Sequence, residues 1–148
     1  MLETQVEMEL DAPATLVWKL TGDFGGLRDW LPGVVDCWVE GEGAQEDGGN
    51  AIRVVEMSNG AITKEALIAL DESRYSYRYA IIEAKGFGKD NAFQAHFTVL
   101  PLSDDRCKVV WGARFTLPAD VPADASEKAR QRVQQMYRLF LQHLASLL

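Results

Sequence analysis

The chain has 148 residues, which corresponds to one domain that can bury a hydrophobic core without help from disulfides or metals. Its 22 acidic and 15 basic residues give a net charge of −7, and an acidic surface repels nucleic acid and anionic membranes. The acidic N-terminus differs from a signal peptide, and no apolar run is long enough to span a membrane. We therefore expect a single cytoplasmic domain, residues 1–148, that neither binds nucleic acid nor inserts into a membrane.

The N-terminal part of the chain predicts a strand and two short helices. Polar and apolar residues alternate from Thr4 to Leu10, which is the period of a strand with one solvent-facing side. An apolar stripe follows Pro13, which suits a first helical turn, and this stripe ends near Gly22. A second short helix is expected over residues 26–31, before a Pro-Gly pair interrupts it.

Six further strands and a long helix are predicted after these elements. Alternation predicts the strands, in meander-like order, at residues 34–42, 51–57, 61–70, 74–82, 92–100 and 107–117, with a polar glycine-rich loop at 41–50. Apolar residues then recur at spacings of three and four from Ala125 to Leu144, which predicts one long helix. Asp124 and Glu127 have the spacing of a capping box at its start.

This order of elements predicts an α+β fold, in which a curved seven-stranded antiparallel sheet wraps around the long C-terminal helix. The two short helices lie between strands 1 and 2. Alternation places a set of aromatic side chains on the inner face of the sheet: Tyr75, Tyr77, Tyr79, Phe93, Phe97, Trp111 and Phe115. Such a face lines either a packed core or a pocket, because a twisted sheet seldom closes completely around one helix.

Two charged residues favour a pocket over a filled core. If residues 58–60 form a three-residue hairpin loop, Arg53 lies opposite Glu65 on the inner face. A two-residue turn would instead place Arg53 opposite Ala66 and break this pairing. Because an unpaired charge on an inner face is costly to desolvate, the two residues would form either a ligand-orienting pair or a structural ion pair.

The same argument predicts the register of the following hairpin. With Ala69 opposite Tyr75, Leu67 lies beside Tyr77 and Glu65 lies beside Tyr79. The apolar alternation then keeps Glu65 on the inner face, next to the phenols.

Other motifs in the chain carry little functional weight. Residues 23–25 read Asp-Phe-Gly, the magnesium-binding motif of protein kinases, but the chain lacks an HRD catalytic loop and is too short for a kinase. We interpret them as the end of a helix followed by a turn. The cysteines Cys37 and Cys107 and the histidines His96 and His143 lie far apart without ligand spacing, so we expect no metal or cofactor, and no disulfide is implied.

A set of residues spread along the chain matches the pattern of a known family: Pro13, Trp18, WLPG at 30–33, Arg53, Glu65, Leu70-Asp71, Tyr77 and Trp111. Together with the order of elements, they resemble the polyketide cyclase/dehydrase-type branch of the START-like (SRPBCC) superfamily, which includes the birch-pollen-allergen fold. The resemblance spans nearly the whole chain. It implies a helix-grip fold with a cavity for an apolar molecule, and it places Phe24, Trp30 and the loop at 83–91 around the entrance.

The inner face, the short helices and the apolar side of the last helix supply the candidate site. The candidate ligand-binding residues are Phe24, Trp30, Arg53, Glu65, Tyr77, Tyr79, Phe93, Trp111, Val133, Tyr137 and Phe140. Phe93 stands where the resemblance implies Tyr in many relatives, so one phenol is absent.

Three functions follow, and the choice between binding and catalysis stays open at this point. The first is binding of a small to medium hydrophobic molecule, such as a lipid or polyketide, with a polar end near Arg53 and Glu65. The second, implied by the resemblance, is a polyketide cyclase or dehydratase-like enzyme in which Arg53 stabilises an oxyanion and Tyr77 or Glu65 transfers a proton. The third is an interaction module with a filled core. Alternation places Trp38 on the outer face, where a second subunit could contact it, so homodimer formation stays an open alternative.

Overall fold

A computed structural model describes residues 1–40, 51–85, 87–88 and 92–148, with the side chains of 87 and 88 excepted. Its strands are β1 (Leu2–Leu10), β2 (Val34–Glu40), β3 (Ile52–Met57), β4 (Ile62–Asp71), β5 (Ser76–Ala84), β6 (Phe87–Gly88), β7 (Gln94–Ser103) and β8 (Arg106–Phe115). Its α-helices are α1 (Ala14–Thr21) and α2 (Ala123–Ser146), and single 3₁₀ turns cover Leu27–Asp29 and Glu72–Arg74. The glycine-rich loop expected at 41–50, with the predicted end of β2, lies outside the described residues.

The strands form one antiparallel sheet in the order β1-β8-β7-β5-β4-β3-β2, with the two-residue β6 paired to β5. The predicted α+β class, the seven-stranded curved sheet and the two short helical elements before β2 are therefore confirmed. The meander order was wrong for β1, because this strand pairs with β8 along its whole length. Consequently β1 and β2 lie at opposite edges of the sheet, and α1 with the first 3₁₀ turn connects them.

The long helix α2 covers the inner face of the sheet. Its buried residues recur at spacings of three and four, at Val133, Tyr137, Leu141 and Leu144. The ring of Tyr137 stacks on Trp111 of β8 with a centroid distance of 4.2 Å. This contact joins helix and sheet near the middle of the core.

The β3–β4 hairpin has the register that a three-residue loop predicts. Arg53 pairs with Glu65 and Val55 pairs with Thr63. Gly60 has a φ of +86°, the left-handed conformation that this turn requires and that glycine adopts without strain. The predicted inner-face pairing of Arg53 and Glu65 is thus confirmed.

The register predicted for the β4–β5 hairpin was wrong by two residues. Leu67 pairs with Tyr79 instead of Tyr77, and Glu65 pairs with Ile81 instead of Tyr79. Two irregularities in the ladder and the 3₁₀ turn before β5, where Tyr75 has a φ of 52°, account for the difference. Because side chains alternate with a period of two, a shift of two residues leaves Glu65 and Leu67 on their predicted face. Ala69, however, pairs with Arg78 instead of Tyr75, a shift of three residues, so Leu70 takes the place opposite an inner-face tyrosine, Tyr77.

The start of α2 also differs from the prediction. Pro122 occupies the N-cap, and no described side chain caps the helix. Glu127 instead accepts hydrogen bonds from Arg130, one turn further along the helix. The capping box expected at Asp124 and Glu127 is therefore absent, because the N-cap is Pro122 and Asp124 already lies in the first turn, while Glu127 pairs with the charged Arg130.

Candidate functional site

The centre of the candidate site is a buried ion pair on neighbouring strands. Arg53 on β3 is 1% exposed, and Glu65 on β4 is 12% exposed. The Arg53 Nε donates to Glu65 Oε1 at 2.6 Å, and Nη1 donates to the carbonyl oxygen of Phe24 at 3.2 Å. The cross-strand register of β3 and β4 places these partners opposite each other, so the hairpin loop determines the geometry of the pair.

Aromatic rings surround the Arg53 guanidinium. Its Cζ atom lies 4.2 Å from the ring centroid of Phe24, 4.6 Å from that of Tyr79 and 5.7 Å from that of Tyr77. Ring faces attract a cation, and the attraction grows when water is excluded. The Asp-Phe-Gly stretch therefore supplies a ring and a backbone carbonyl to a buried arginine.

The electrostatics keep Arg53 charged in spite of its burial. Burial acts to lower the pKa of the guanidinium, but the Glu65 carboxylate, with smaller contributions from Tyr77 and Tyr79, more than offsets this effect. The pKa of Arg53 consequently lies above its ordinary value. The site thus contains a permanent cation whose charge is balanced by Glu65 at hydrogen-bond distance.

Three buried phenols lie beside this pair. The indole Nε1 of Trp111 donates to the Tyr79 hydroxyl oxygen at 3.1 Å. Burial raises the pKa of Tyr137, and an interaction with the Tyr79 hydroxyl partly offsets the increase. Burial likewise raises the pKa of Tyr77 and of Tyr79, so all three phenols stay protonated at neutral pH and each keeps a proton to donate.

Tyr77 differs from the other two phenols in its hydrogen bonding. Its hydroxyl oxygen is buried and makes no hydrogen bond with any residue in the described ranges. The charge and the donor groups of the Arg53 guanidinium lie near enough to lower the pKa of Tyr77 in part, although the geometry falls short of a regular hydrogen bond. The Tyr77 hydroxyl is therefore less well compensated than that of Tyr79.

A partly enclosed cavity of about 250 Å³ lies between the sheet and α2. Eight of the candidate residues line it: Arg53, Glu65, Tyr79, Phe93, Trp111, Val133, Tyr137 and Phe140. Phe24, Trp30 and Tyr77 do not line it. Each of these three instead contacts a lining residue, with Phe24 and Tyr77 against Arg53, and Trp30 against Trp111 at a centroid distance of 5.8 Å.

Seven of the lining residues were neither candidates nor part of the loop expected at the entrance. They are Leu27, Leu31, Val55, Met57, Thr63, Ile81 and Met136. Alternation from Arg53 and Glu65 would have found Val55, Met57 and Thr63, which share their face. Of the loop expected at the entrance, Ala84 and Lys85 line the cavity, whereas residues 86 and 89–91 lie outside the described part of the chain.

The described residues offer little for metal or thiol chemistry. They contain no group of three His, Cys, Asp or Glu side chains that could hold a metal ion. Burial raises the pKa of both Cys37 and Cys107, although Arg53 lowers that of Cys37 in part, so neither thiol is activated. Across the same part of the chain, the helices are too short or too polar to span a membrane.

Solved structures of several proteins share this fold. A protein from Thermobifida fusca matches with a TM-score of 0.80 and 26% identity over 98% of this chain and 91% of its own. The di-domain ARO/CYC BexL of the BE-7585A biosynthetic pathway matches with a TM-score of 0.80 and 18% identity over 99% of this chain and 46% of BexL. A START superfamily protein from Mycobacterium smegmatis matches with a TM-score of 0.66 and 16% identity over 97% and 92% of the two chains.

The last two likenesses show a common fold and nothing more, because their identities are low. No curated protein matches the chain in sequence. The family model described as polyketide cyclase/dehydrase and lipid transport, however, matches residues 1–148. This match over the full length shows that the chain, which has a START-like fold, belongs to the polyketide cyclase/dehydrase and lipid transport family.

Proposed function

We propose that the protein binds a small hydrophobic molecule in the cavity between the sheet and α2, with one polar end of the ligand held beside Arg53. The observation that carries the proposal is the position of Arg53, which is almost fully buried yet lines an otherwise largely apolar cavity. Burying a cation is costly, and a structural ion pair alone is often no more stable than apolar residues of similar size. A guanidinium retained at a cavity wall therefore supports a role in ligand recognition.

The hydrogen-bond inventory favours a ligand whose polar end is an acceptor. Arg53 can only donate, and the hydrogen bonds to Glu65 and Phe24 leave further N–H groups of the guanidinium. Trp111 can also only donate, and it occupies an acceptor position of Tyr79. The Tyr79 and Tyr137 hydroxyls interact with each other, so one of them donates to the other and the second proton is left for an acceptor in the cavity. A ketone, ester or similar carbonyl matches this excess of donors.

The dimensions of the cavity restrict the ligand to the small end of the range. Pockets for drug-sized ligands measure roughly 300–1,000 Å³, and this cavity measures about 250 Å³. Its lining is mainly aliphatic and aromatic. The proposal is therefore a compact apolar molecule with one carbonyl-like end, smaller than a sterol.

Ligand retention from a cell extract tests this proposal. The purified protein is incubated with extract, washed and denatured, and the released small molecules are identified by mass spectrometry. Arg53→Met removes the cation and keeps an apolar side chain of similar length, whereas Arg78→Met removes the charge of an exposed residue that does not line the cavity. We expect wild type and Arg78→Met to retain the same compound in equal amounts. Arg53→Met should retain at least about tenfold less of it, because a hydrogen bond to a charged group contributes about 1.5–3 kcal/mol.

Two outcomes would contradict the proposal. Circular dichroism and thermal unfolding verify that the Arg53→Met variant is folded. If this folded variant retains as much compound as the wild type, Arg53 does not bind the ligand. Failure of the wild type to retain any compound or to admit a hydrophobic fluorescent probe would instead favour the interaction module with a filled core.

A second candidate function is a cyclase or dehydratase-like reaction on a compact polyketide-like substrate. The observation that favours it is that two protonated phenols, Tyr79 on the sheet and Tyr137 on α2, line the same cavity as Arg53 and Glu65. Arg53 would stabilise a developing oxyanion, a phenol would donate a proton, and Glu65 would accept one. Tyr77 is a weaker candidate for this role than sequence reasoning implied, because it does not line the cavity.

The same extraction separates the two functions. A carrier releases its ligand unchanged, whereas an enzyme converts the compound on prolonged incubation. The Glu65→Gln variant keeps a hydrogen-bond acceptor for Arg53 but removes the base, so an enzyme would lose turnover and retain the substrate. If Glu65→Gln and the wild type leave the retained compound equally unaltered, the catalytic alternative is excluded for that compound.

A further inference from the structure

An exposed lysine lines the cavity together with Arg53. Lys85 follows directly after β5, and its neighbour Ala84 also lines the cavity. Because Lys85 is exposed, it lies where the cavity meets solvent. Within the ranges that the structure describes, Lys85 has no carboxylate partner at ion-pair distance.

Among the described residues, the charges that line the cavity do not balance, although the protein as a whole is acidic. The charged lining residues in the described ranges are Arg53, Glu65 and Lys85, and the first two neutralise each other at 2.6 Å. Lys85 therefore gives this part of the lining one excess positive charge, in a chain whose net charge is −7.

A second cation adds to this local charge. A shallow groove of about 150 Å³ adjoins the cavity, because Val133 and Met136 line both spaces. Arg132 lines this groove, and no acidic residue lines it among the residues described. Several other surface cations of the sheet pair with carboxylates, as in Lys108 with Glu7 and Arg114 with Glu3.

We propose that the ligand is an amphipathic anion, whose negatively charged group binds Lys85 at the mouth of the cavity while its uncharged acceptor end lies at Arg53. This inference rests on the proposed function and adds the charge and the orientation of the ligand. The orientation follows from the charges, since Glu65 already neutralises Arg53 and would repel a second carboxylate at the closed end. The excess cation at the mouth would also attract anions from solution.

A matched pair of fluorescent probes tests the inference. Anilinonaphthalene sulfonate and phenylnaphthylamine share an apolar body and differ in the anionic sulfonate. Both are titrated into wild type, Lys85→Gln and the control Lys19→Gln, which removes the charge of an exposed lysine on α1 that does not line the cavity. We expect Lys85→Gln to raise the Kd of the sulfonate about threefold to fivefold, as the loss of one solvent-exposed charge pair allows, and to leave that of the uncharged probe unchanged.

Three additional measurements sharpen the result. Lys85→Glu should weaken sulfonate binding further than Lys85→Gln, because it adds repulsion. The preference for the sulfonate should shrink as salt rises from about 0.05 to about 0.5 M. Thr63→Trp, which places a large ring in the cavity, should abolish binding of both probes and so locate them there.

The failures of this inference and of the proposed function are distinguishable. If the uncharged probe binds the wild type but Lys85→Gln changes neither Kd, or changes both equally, Lys85 does not bind an anion and this inference alone is overturned. If neither probe binds the wild type, the cavity takes no such ligand, and the proposed function is overturned together with the inference.

Discussion

Tyr77 and Tyr79 lie two residues apart on the inner face of β5, yet their hydroxyl groups have opposite energetic roles. The Tyr79 hydroxyl accepts the Trp111 N–H, whereas the Tyr77 hydroxyl is buried without a hydrogen-bond partner among the described residues. Removing an accepting hydroxyl leaves a buried donor unsatisfied, but removing an unpaired hydroxyl relieves a desolvation cost.

The two Tyr→Phe substitutions should therefore differ in sign. We expect Tyr79→Phe to lower the free energy of unfolding by about 1–3 kcal/mol, because it leaves the buried Trp111 N–H without an acceptor. Tyr77→Phe should leave that free energy unchanged or raise it by up to about 1 kcal/mol. Urea denaturation of both variants measures the difference, and each variant is the size-matched control of the other. Equal losses in the two variants would show that Tyr77 has a hydrogen-bond partner after all.

At the scale of single residues, the sequence could predict the Arg53–Glu65 pair but not the contacts of the phenols. The pair follows from one local feature, a three-residue loop that fixes which residues of β3 and β4 lie opposite each other. The bond between Trp111 and Tyr79 joins β8 to β5 across β7, and the stacking of Trp111 on Tyr137 joins sheet to helix. No local pattern encodes the distance between elements so far apart in the chain.

At the scale of elements, the packing of α1 depends on a glycine at its end, because the absence of a Cβ atom leaves room for an indole ring. The C-cap of α1 is Gly22, and the indole of Trp18 covers it while donating to Glu72 Oε2 at 2.7 Å and stacking on Tyr75 at 5.6 Å. A Cβ atom at position 22 would lie 2.4 Å from Cε2 of this indole. The backbone does not require glycine, since its φ is −80°.

We expect Gly22→Ala to lower the free energy of unfolding by about 1–3 kcal/mol, the usual cost of overpacking a well-packed contact. Without the indole, the same change at a relaxed backbone position would raise that free energy by about 0.4–1 kcal/mol. The test is a double-mutant cycle with Trp18→Leu, measured by denaturant unfolding. A Gly22→Ala effect that is the same in both backgrounds would show that the indole does not cover this glycine.

The register of the hairpins shows why some elements were predictable and others were not. A turn with a glycine in the left-handed conformation determines the β3–β4 pairing, and the sequence Ser-Asn-Gly indicates that turn directly. The β4–β5 pairing depends on two ladder irregularities and on Tyr75 at a φ of 52°, which is an uncommon conformation for a tyrosine. Periodicity still assigned Glu65 and Leu67 to the correct face, because it is insensitive to a shift of two residues, but it failed at Ala69, which lies beyond a ladder irregularity.

At the scale of the whole molecule, the cavity and the core are one continuous aromatic structure. Trp30, Tyr77 and Phe97 form the packed side, while Tyr79, Trp111 and Tyr137 face the cavity. The phenols therefore connect ligand recognition with stability, since the groups that would contact the ligand are also buried parts of the core. The stability of the fold should therefore depend on pH in the alkaline range, where phenols ionise.

Burial raises the pKa of Tyr77, Tyr79 and Tyr137 above their ordinary value, so the folded protein binds these protons more tightly than the unfolded chain does. Stability from this source is fully present below the unfolded pKa of about 10 and falls as pH rises above it, because only the unfolded chain then releases the protons. We expect the urea midpoint to fall steeply above about pH 10, and the slope to be smaller in Tyr79→Phe, which removes one titrating group. Phenolate absorbance should rise together with loss of the circular-dichroism signal for these tyrosines. Ionisation of all the tyrosines in a protein that stays folded would show that the three phenols are open to solvent and that burial does not raise their pKa.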